Sequence, residues 1–129
     1  MIRFAAAAAL FAVTAAASAA LAQPAAPPTA PAAAPPGEFA VCTACHETKA
    51  GAGPSLGPNL FGVGGRKAGA VADYDYSPAM KGSTIVWSPE TLAAFVIDPN
   101  KTVPGNKMDY SGTDAATAKA IADYLMTLK

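Results

Sequence analysis

The hydrophobic positions of this 129-residue chain change character three times. Phe4 to Ala22 is apolar apart from Thr14 and Ser18, and Arg3 precedes it. Gln23 to Pro36 holds only Gln, Pro, Ala and Thr, with no apolar period. From Gly37 onward apolar and polar residues mix as in a folded domain. Gly37 to His46 predicts one short helix, with Phe39 and Val41 on its apolar side and Pro35-Pro36 blocking extension backwards. Glu47 to Gly69 is rich in glycine, with Pro54 and Pro58, and predicts loop. Residues 70–87 carry Tyr74, Tyr76, Met80 and Trp87 without a sustained period, which predicts irregular structure around a core. Ser88-Pro89-Glu90 is a helix start, with serine as cap, proline at the first helical position and an acid in the first turn. Leu92, Phe95 and Val96 then share a face, and Pro99 ends the helix. Asp114 to Leu128 is the clearest helix, with Thr113 as cap and Ile121, Tyr124, Leu125 and Leu128 at helical spacing. Strand alternation and internal repeats are absent from the pattern. The fold class is therefore all-α.

These shifts divide the chain. Residues 1–22 read as a secretory signal, with Ala20-Leu21-Ala22 as a small-x-small cleavage site. An uncleaved anchor is the alternative, since the stretch is nearly long enough to span a bilayer. Its alanine-dominated composition favours cleavage. Either way the functional domain lies outside the cytoplasm, in the periplasm if this is a bacterial export signal. Residues 23–36 form an extended Pro/Ala linker that cannot bury a core. Residues 37–129 are the single folded domain. Its 93 residues are few for a self-sufficient core.

Charge narrows the function classes. Without Arg3 the chain has eight basic against nine acidic residues, a net −1. A nucleic-acid binder should show a basic patch. The 52% hydrophobic content is inflated by the leader and linker, and is no sign of a membrane protein.

The chemistry is concentrated in Cys42-Thr43-Ala44-Cys45-His46. This is the attachment pattern of a c-type haem. Residues three apart lie on one face of a helical turn, so both thiols can add to the two haem vinyl groups. His46 follows and can bind iron from one side. The chain has two cysteines and one histidine, all within this pentapeptide. A thioredoxin-like dithiol would want a βαβ pattern and leaves His46 unexplained. Zinc would need more Cys or His ligands. A disulfide here would close too small a loop to stabilise much. A buried haem would also supply the apolar surface the small domain lacks, so the apoprotein should fold poorly.

With one histidine, a sixth iron ligand from the same chain has to be another residue type. Thioether sulfur suits haem iron, and His/Met ligation raises its potential. Met126 on the last helix reads as a packing residue. Met108 closes Pro104-Gly105-Asn106-Lys107-Met108, an irregular loop able to turn a side chain inward. Met80 is the rival, and spacing does not choose between the two.

From Cys42 to Lys129 the chain resembles the class I cytochromes c, the small mitochondrial and purple-bacterial electron carriers. The likeness rests on an ordered set. Cys42-Thr43-Ala44-Cys45-His46 precedes Gly57-Pro58-Asn59-Leu60 and Gly65-Arg66-Lys67-Ala68-Gly69. Tyr74-Asp75-Tyr76-Ser77, Trp87, Pro104-Gly105-Asn106-Lys107-Met108 and Tyr124-Leu125 follow. The resemblance implies a small all-α cytochrome c fold around one covalent haem c, with the first and last helices in contact through Phe39, Ile121, Tyr124 and Leu125. It implies His46 and Met108 as iron ligands. It implies that the Pro58 carbonyl accepts a hydrogen bond from the free nitrogen of His46. Arg66 would lie near a haem propionate, and Tyr76 and Trp87 would turn polar tips to one. The sequence also departs from the family. Phe95 replaces a frequent tyrosine whose hydroxyl contacts the methionine sulfur. Asn106 replaces a threonine and would donate to a propionate. Met80 stands near a position that is often asparagine.

The function so implied is a soluble one-electron carrier, not an enzyme, cycling Fe(II)/Fe(III) between membrane or soluble redox proteins of a respiratory or photosynthetic chain. A monomer, it would dock transiently at the haem edge. Alternatives are a haem enzyme or gas sensor with a labile sixth ligand, and a haem subunit docked on a larger oxidoreductase. Lys67, Lys101 and Lys107 are the candidates for steering acidic partners, and several lysine positions of the family are neutral here. Association with an acidic partner should therefore depend weakly on salt. Stopped-flow rates across an ionic-strength series test this, and a steep fall would contradict it.

Overall fold

Three helices in the middle of the domain begin alike, with a capping side chain followed by proline. The computed structural model describes residues 33–129. The leader 1–22 and most of the 23–36 linker lie outside the described residues. Ser77 caps α2 (Pro78–Gly82) by accepting from the Met80 N–H at 3.1 Å. Ser88 caps α3 (Pro89–Ile97) by accepting from Thr91 N–H at 3.2 Å, while the Thr91 hydroxyl oxygen accepts from the Ser88 N–H at 2.7 Å. Asp98 caps α4 (Pro99–Thr102), accepting from the Lys101 N–H at 2.9 Å. Proline costs nothing at these positions, because its missing N–H would have no helical partner there.

Two sequence expectations change accordingly. Residues 70–87 are not wholly irregular, since they contain α2, announced by the same Ser-Pro pair that starts α3. Pro99 follows the end of α3 and also opens α4.

The N-terminal helix is shorter than its sequence suggests. A 3-10 turn, Gly37–Phe39, leads into α1 (Ala40–Thr43). The helix closes because the N–H groups of Cys45 and His46 both reach the Cys42 carbonyl, at 3.1 and 2.9 Å. The last helix, α5 (Ala115–Leu125), is capped by Asp114 rather than Thr113. One Asp114 oxygen accepts from the N–H groups of Ala116 and Thr117, at 2.9 and 3.0 Å. No strand forms among the described residues, whose only ladder pairing is an isolated bridge between Lys67 and Val86. No described helix is long and apolar enough to cross a membrane.

Packing centres on α3 against α5. Leu92, Phe95 and Val96 are the buried face of α3, as their spacing predicts. Ala118, Ile121, Ala122 and Leu125 are the buried stripe of α5. The chain's described beginning meets its end here, with the Phe39 ring edge-on to Tyr124 at 4.7 Å. The Gly62 N–H donates to the Leu128 carbonyl at 2.7 Å, and Met126 packs against Gly64. The segment entering α5 crosses the end of α3 at Gly112, whose φ of 90° and contact with the Ile97 carbonyl leave no space for a side chain.

Two outcomes follow for stability. Ile121 is 1% exposed, so Ile121→Ala should cost about 2–5 kcal/mol in urea unfolding of the haem-loaded protein. Hydrogen bonds from the Thr117 N–H and then its hydroxyl hold the Asp114 carboxyl below its ordinary range. Its folded pKa is therefore below the unfolded one, so the stabilisation is complete above the unfolded value and is lost as pH falls through the folded value. Asp114→Asn keeps a capping oxygen that does not titrate. Its stability should fall less steeply than wild type as pH drops through and below the carboxylate range, read by urea midpoints.

Candidate functional site

The turn that ends α1 places two thiols and an imidazole on one side of the chain. Cys42 and Cys45 are half-buried free thiols. Both border a cavity of about 440 Å³, with His46 beside them. That volume suits a small-molecule or cofactor site. Burial pushes the Cys42 thiol above its ordinary pKa.

The imidazole of His46 is fixed on two sides. Its Nδ1 donates to the Pro58 carbonyl at 2.7 Å. Its ring lies against Gly57, where a Cβ would come within 2.6 Å of Nδ1 and 2.9 Å of Nε2. Only glycine permits that approach. The Gly57 N–H donates to the Cys45 carbonyl at 2.7 Å, and the Leu60 N–H to the Glu47 carbonyl at 2.8 Å, which staples the loop to the cysteine turn. Burial lowers the His46 pKa, partly offset by the Pro58 carbonyl. Burial thereby favours the neutral ring, and with Nδ1–H donating to Pro58 it is Nε2 that carries the neutral ring's lone pair, the one a metal needs.

Asn59 ties this loop together. Its amide donates to the carbonyls of Lys49 and Ala52, at 2.8 and 2.7 Å, and its oxygen accepts from Phe61 N–H at 2.8 Å. Arg66 donates to the carbonyls of Phe61 and Asn59, at 3.1 and 2.8 Å. Burial lowers the pKa of Arg66, with Tyr76 opposing it, and burial raises that of Tyr76.

The remaining walls come from distant segments. Leu92, Phe95 and Val96 of α3 line the cavity with Ile121 and Leu125 of α5. Trp87 stacks at a tilt on Phe95, ring centres 5.2 Å apart. Tyr74 and Tyr76 meet edge to face at 4.7 Å and stand on the same cavity as Lys107, Met108 and Tyr110.

Nine of the sequence-expected site residues border this one cavity: Cys42, Cys45, His46, Pro58, Arg66, Tyr76, Trp87, Phe95 and Met108. Met80 borders it too. Asn106 does not. Its amide donates to the Val103 carbonyl at 3.0 Å and to Asn100 at 3.2 Å, and its oxygen accepts from the Met108 N–H at 2.8 Å. It shapes the loop that carries Met108 instead of facing the cavity. The structure adds Gly57, as backing for the imidazole, and Tyr110, which no local pattern marks.

These features fit a covalently held haem. Walls are mostly apolar, two thiols sit three residues apart at the cavity, and the imidazole is anchored through the nitrogen that iron would not use. Among the described residues no group of three or more Cys, His, Asp or Glu gathers to hold a bare metal ion.

No family model matches the chain. Individual proteins do. A cytochrome c2 iso-2 of Magnetospirillum molischianum is 41% identical over 95 residues, which are 73% of this chain and 97% of that protein. A cytochrome c2 of Agrobacterium tumefaciens is 47% identical over 77 residues, 57% of this chain and 69% of the other. Among solved structures, cytochrome cH from Methylobacterium extorquens superposes with a TM-score of 0.63 at 42% identity, over 69% of this chain and 90% of that one. A likeness spanning nearly the whole length of a cytochrome c2, with the cysteine–histidine turn set on an apolar cavity, means that this chain belongs to the class I c-type cytochromes.

Proposed function

We propose that the protein is a periplasmic one-electron carrier whose haem, attached through Cys42 and Cys45, is ligated by His46 and Met108. The observation that carries this reading is the 2.7 Å bond from His46 Nδ1 to Pro58, which leaves Nε2 free beside a cavity that Met108 also borders. Bound there, the haem would supply an iron couple that gains and loses one electron.

The chain's own residues account for the rest. Cys42 and Cys45 would hold the group by two thioethers. Pro58 and Gly57 fix the imidazole in rotation and tilt, so a change of charge at its other nitrogen need not move it. Leu92, Phe95, Val96, Ile121 and Leu125 exclude water, which keeps solvent reorganisation small. Arg66, Tyr76 and Trp87 offer the polar and cationic groups to which carboxylates at the edge of such a group would turn. Phe95 brings no hydroxyl to a methionine sulfur, so the tuning of that bond rests on packing.

Residues 1–22 would serve as export signal and 23–36 as a spacer, leaving 37–129 as the working domain. The protein would act as a monomer that meets donor and acceptor proteins briefly in a respiratory or photosynthetic chain. Small transient interfaces suit that task.

The test is spectroscopic. The ferric protein should show the weak near-infrared band of sulfur-to-iron charge transfer, and the ferrous protein should not take up CO. Met108→Ala should abolish the band and admit CO, while Met80→Ala should retain it. Loss of the band in Met80→Ala alone would move the ligand to α2. A high-spin wild type that binds CO readily would favour a catalytic or gas-sensing haem.

A further inference from the structure

We infer that the Asp75–Lys107 ion pair is a latch that holds the Met108-bearing segment closed over the cavity, with Asp75 as a positioning residue for the sixth ligand. The inference rests on Met108 being that ligand.

Segment 104–110 lines the cavity through Lys107, Met108, Asp109 and Tyr110 and is held from two directions. On the α4 side Asn106 ties it to Asn100 and Val103 and grips the Met108 N–H. On the opposite side lies the Tyr74–Tyr76 wall. Among the described residues, the hydrogen-bonded link between these two walls is Lys107 Nζ to Asp75 Oδ2, at 3.0 Å and 32 residues apart in sequence. Lys107 Nζ also stands 5.8 Å from the centre of the Tyr74 ring, within cation–π range. Lys107 precedes Met108, so what restrains one backbone restrains the other.

The carboxylate is itself held in place. Its other oxygen accepts from Lys81 of α2, also at 3.0 Å. Lys81 orients Asp75 and makes no hydrogen bond or ion pair of its own to the described segment 104–110. The geometry thus separates two roles: Lys81 aims the carboxylate, and Lys107 carries the restraint to Met108.

The pair is exposed, with side chains 47% and 82% accessible, so water and salt weaken it. It should tune the opening of the segment about two- to fivefold rather than switch it. An incoming ligand binds only the open form, so its apparent affinity scales with the fraction open.

Imidazole binding to the haem-loaded ferric protein at pH 8, where the probe is largely uncharged, measures that fraction. Asp75→Asn should bind imidazole about two- to fivefold more tightly than wild type and lose near-infrared band intensity when warmed at a lower temperature. Asp75→Glu should return both towards wild type. Lys81→Ala should change affinity less than Asp75→Asn does. High salt should raise the wild-type affinity to that of Asp75→Asn and leave the variant where it is. Equal affinity of wild type and Asp75→Asn, with the band intact in both, would overturn the latch while leaving Met108 as ligand. An equal rise in Lys81→Ala would mark general loosening and overturn it too. A wild type with no band that binds imidazole as tightly as Met108→Ala would remove Met108 ligation and the latch with it.

Discussion

Everything at the centre of this protein is organised by the hydrogen bond from His46 to the Pro58 carbonyl. It is a contact between a side chain and the backbone of a loop twelve residues on, so it holds only if that loop is rigid. Rigidity comes from Asn59, which closes three hydrogen bonds within the loop, and from Arg66, which spans the carbonyls of Asn59 and Phe61. Gly57 lets the ring lie flat against the backbone. A proline supplies the acceptor, and its lack of an N–H leaves no donor to satisfy at that point. The chain itself thus holds the imidazole in one orientation, through the nitrogen that a metal ligand leaves free.

Much of this was legible in the chain, because the informative signals are local. Two thiols and an imidazole within five residues declare a chemistry. Ser88-Pro89 and the spacing of Leu92, Phe95 and Val96 declare a helix and its inner face. What escaped is instructive. Helix α2 has only five residues, too few to show a period, although Ser77-Pro78 repeats the signature that marks α3. Thr113 and Asp114 are both good caps, and the backbone turn selects the second. Asn106 looked like a donor to the cavity, but an asparagine after Pro-Gly can fold back on its own loop, and its amide is used there. Lys107 looked like a free steering charge. Its partner lies 32 residues earlier, a pairing that only the folded chain brings about.

The surface around the cavity mouth therefore differs from a ring of bare cations. Asp75 pairs with two lysines at once and offsets one of their two charges. Val41 and Leu56 border the cavity and are 60% and 76% exposed, so the mouth is flanked by apolar side chains. Scattered exposed apolar groups are ordinary on a protein surface, but these two lie at the edge of the site.

The meeting of the chain's described beginning with its end bears on how the molecule assembles. Phe39 reaches Tyr124, and Gly62 reaches Leu128. Such contacts close loops of most of the domain's length, which is entropically costly and slow compared with forming single helices. A chain that lacks its last few residues cannot complete this seal. Ile121 and Leu125 line the cavity from α5 and so reach it only through this long-range seal. The site's last wall is therefore set by the slowest contacts in the domain, whereas the Cys42–His46 turn on the facing side is a local structure that can form early.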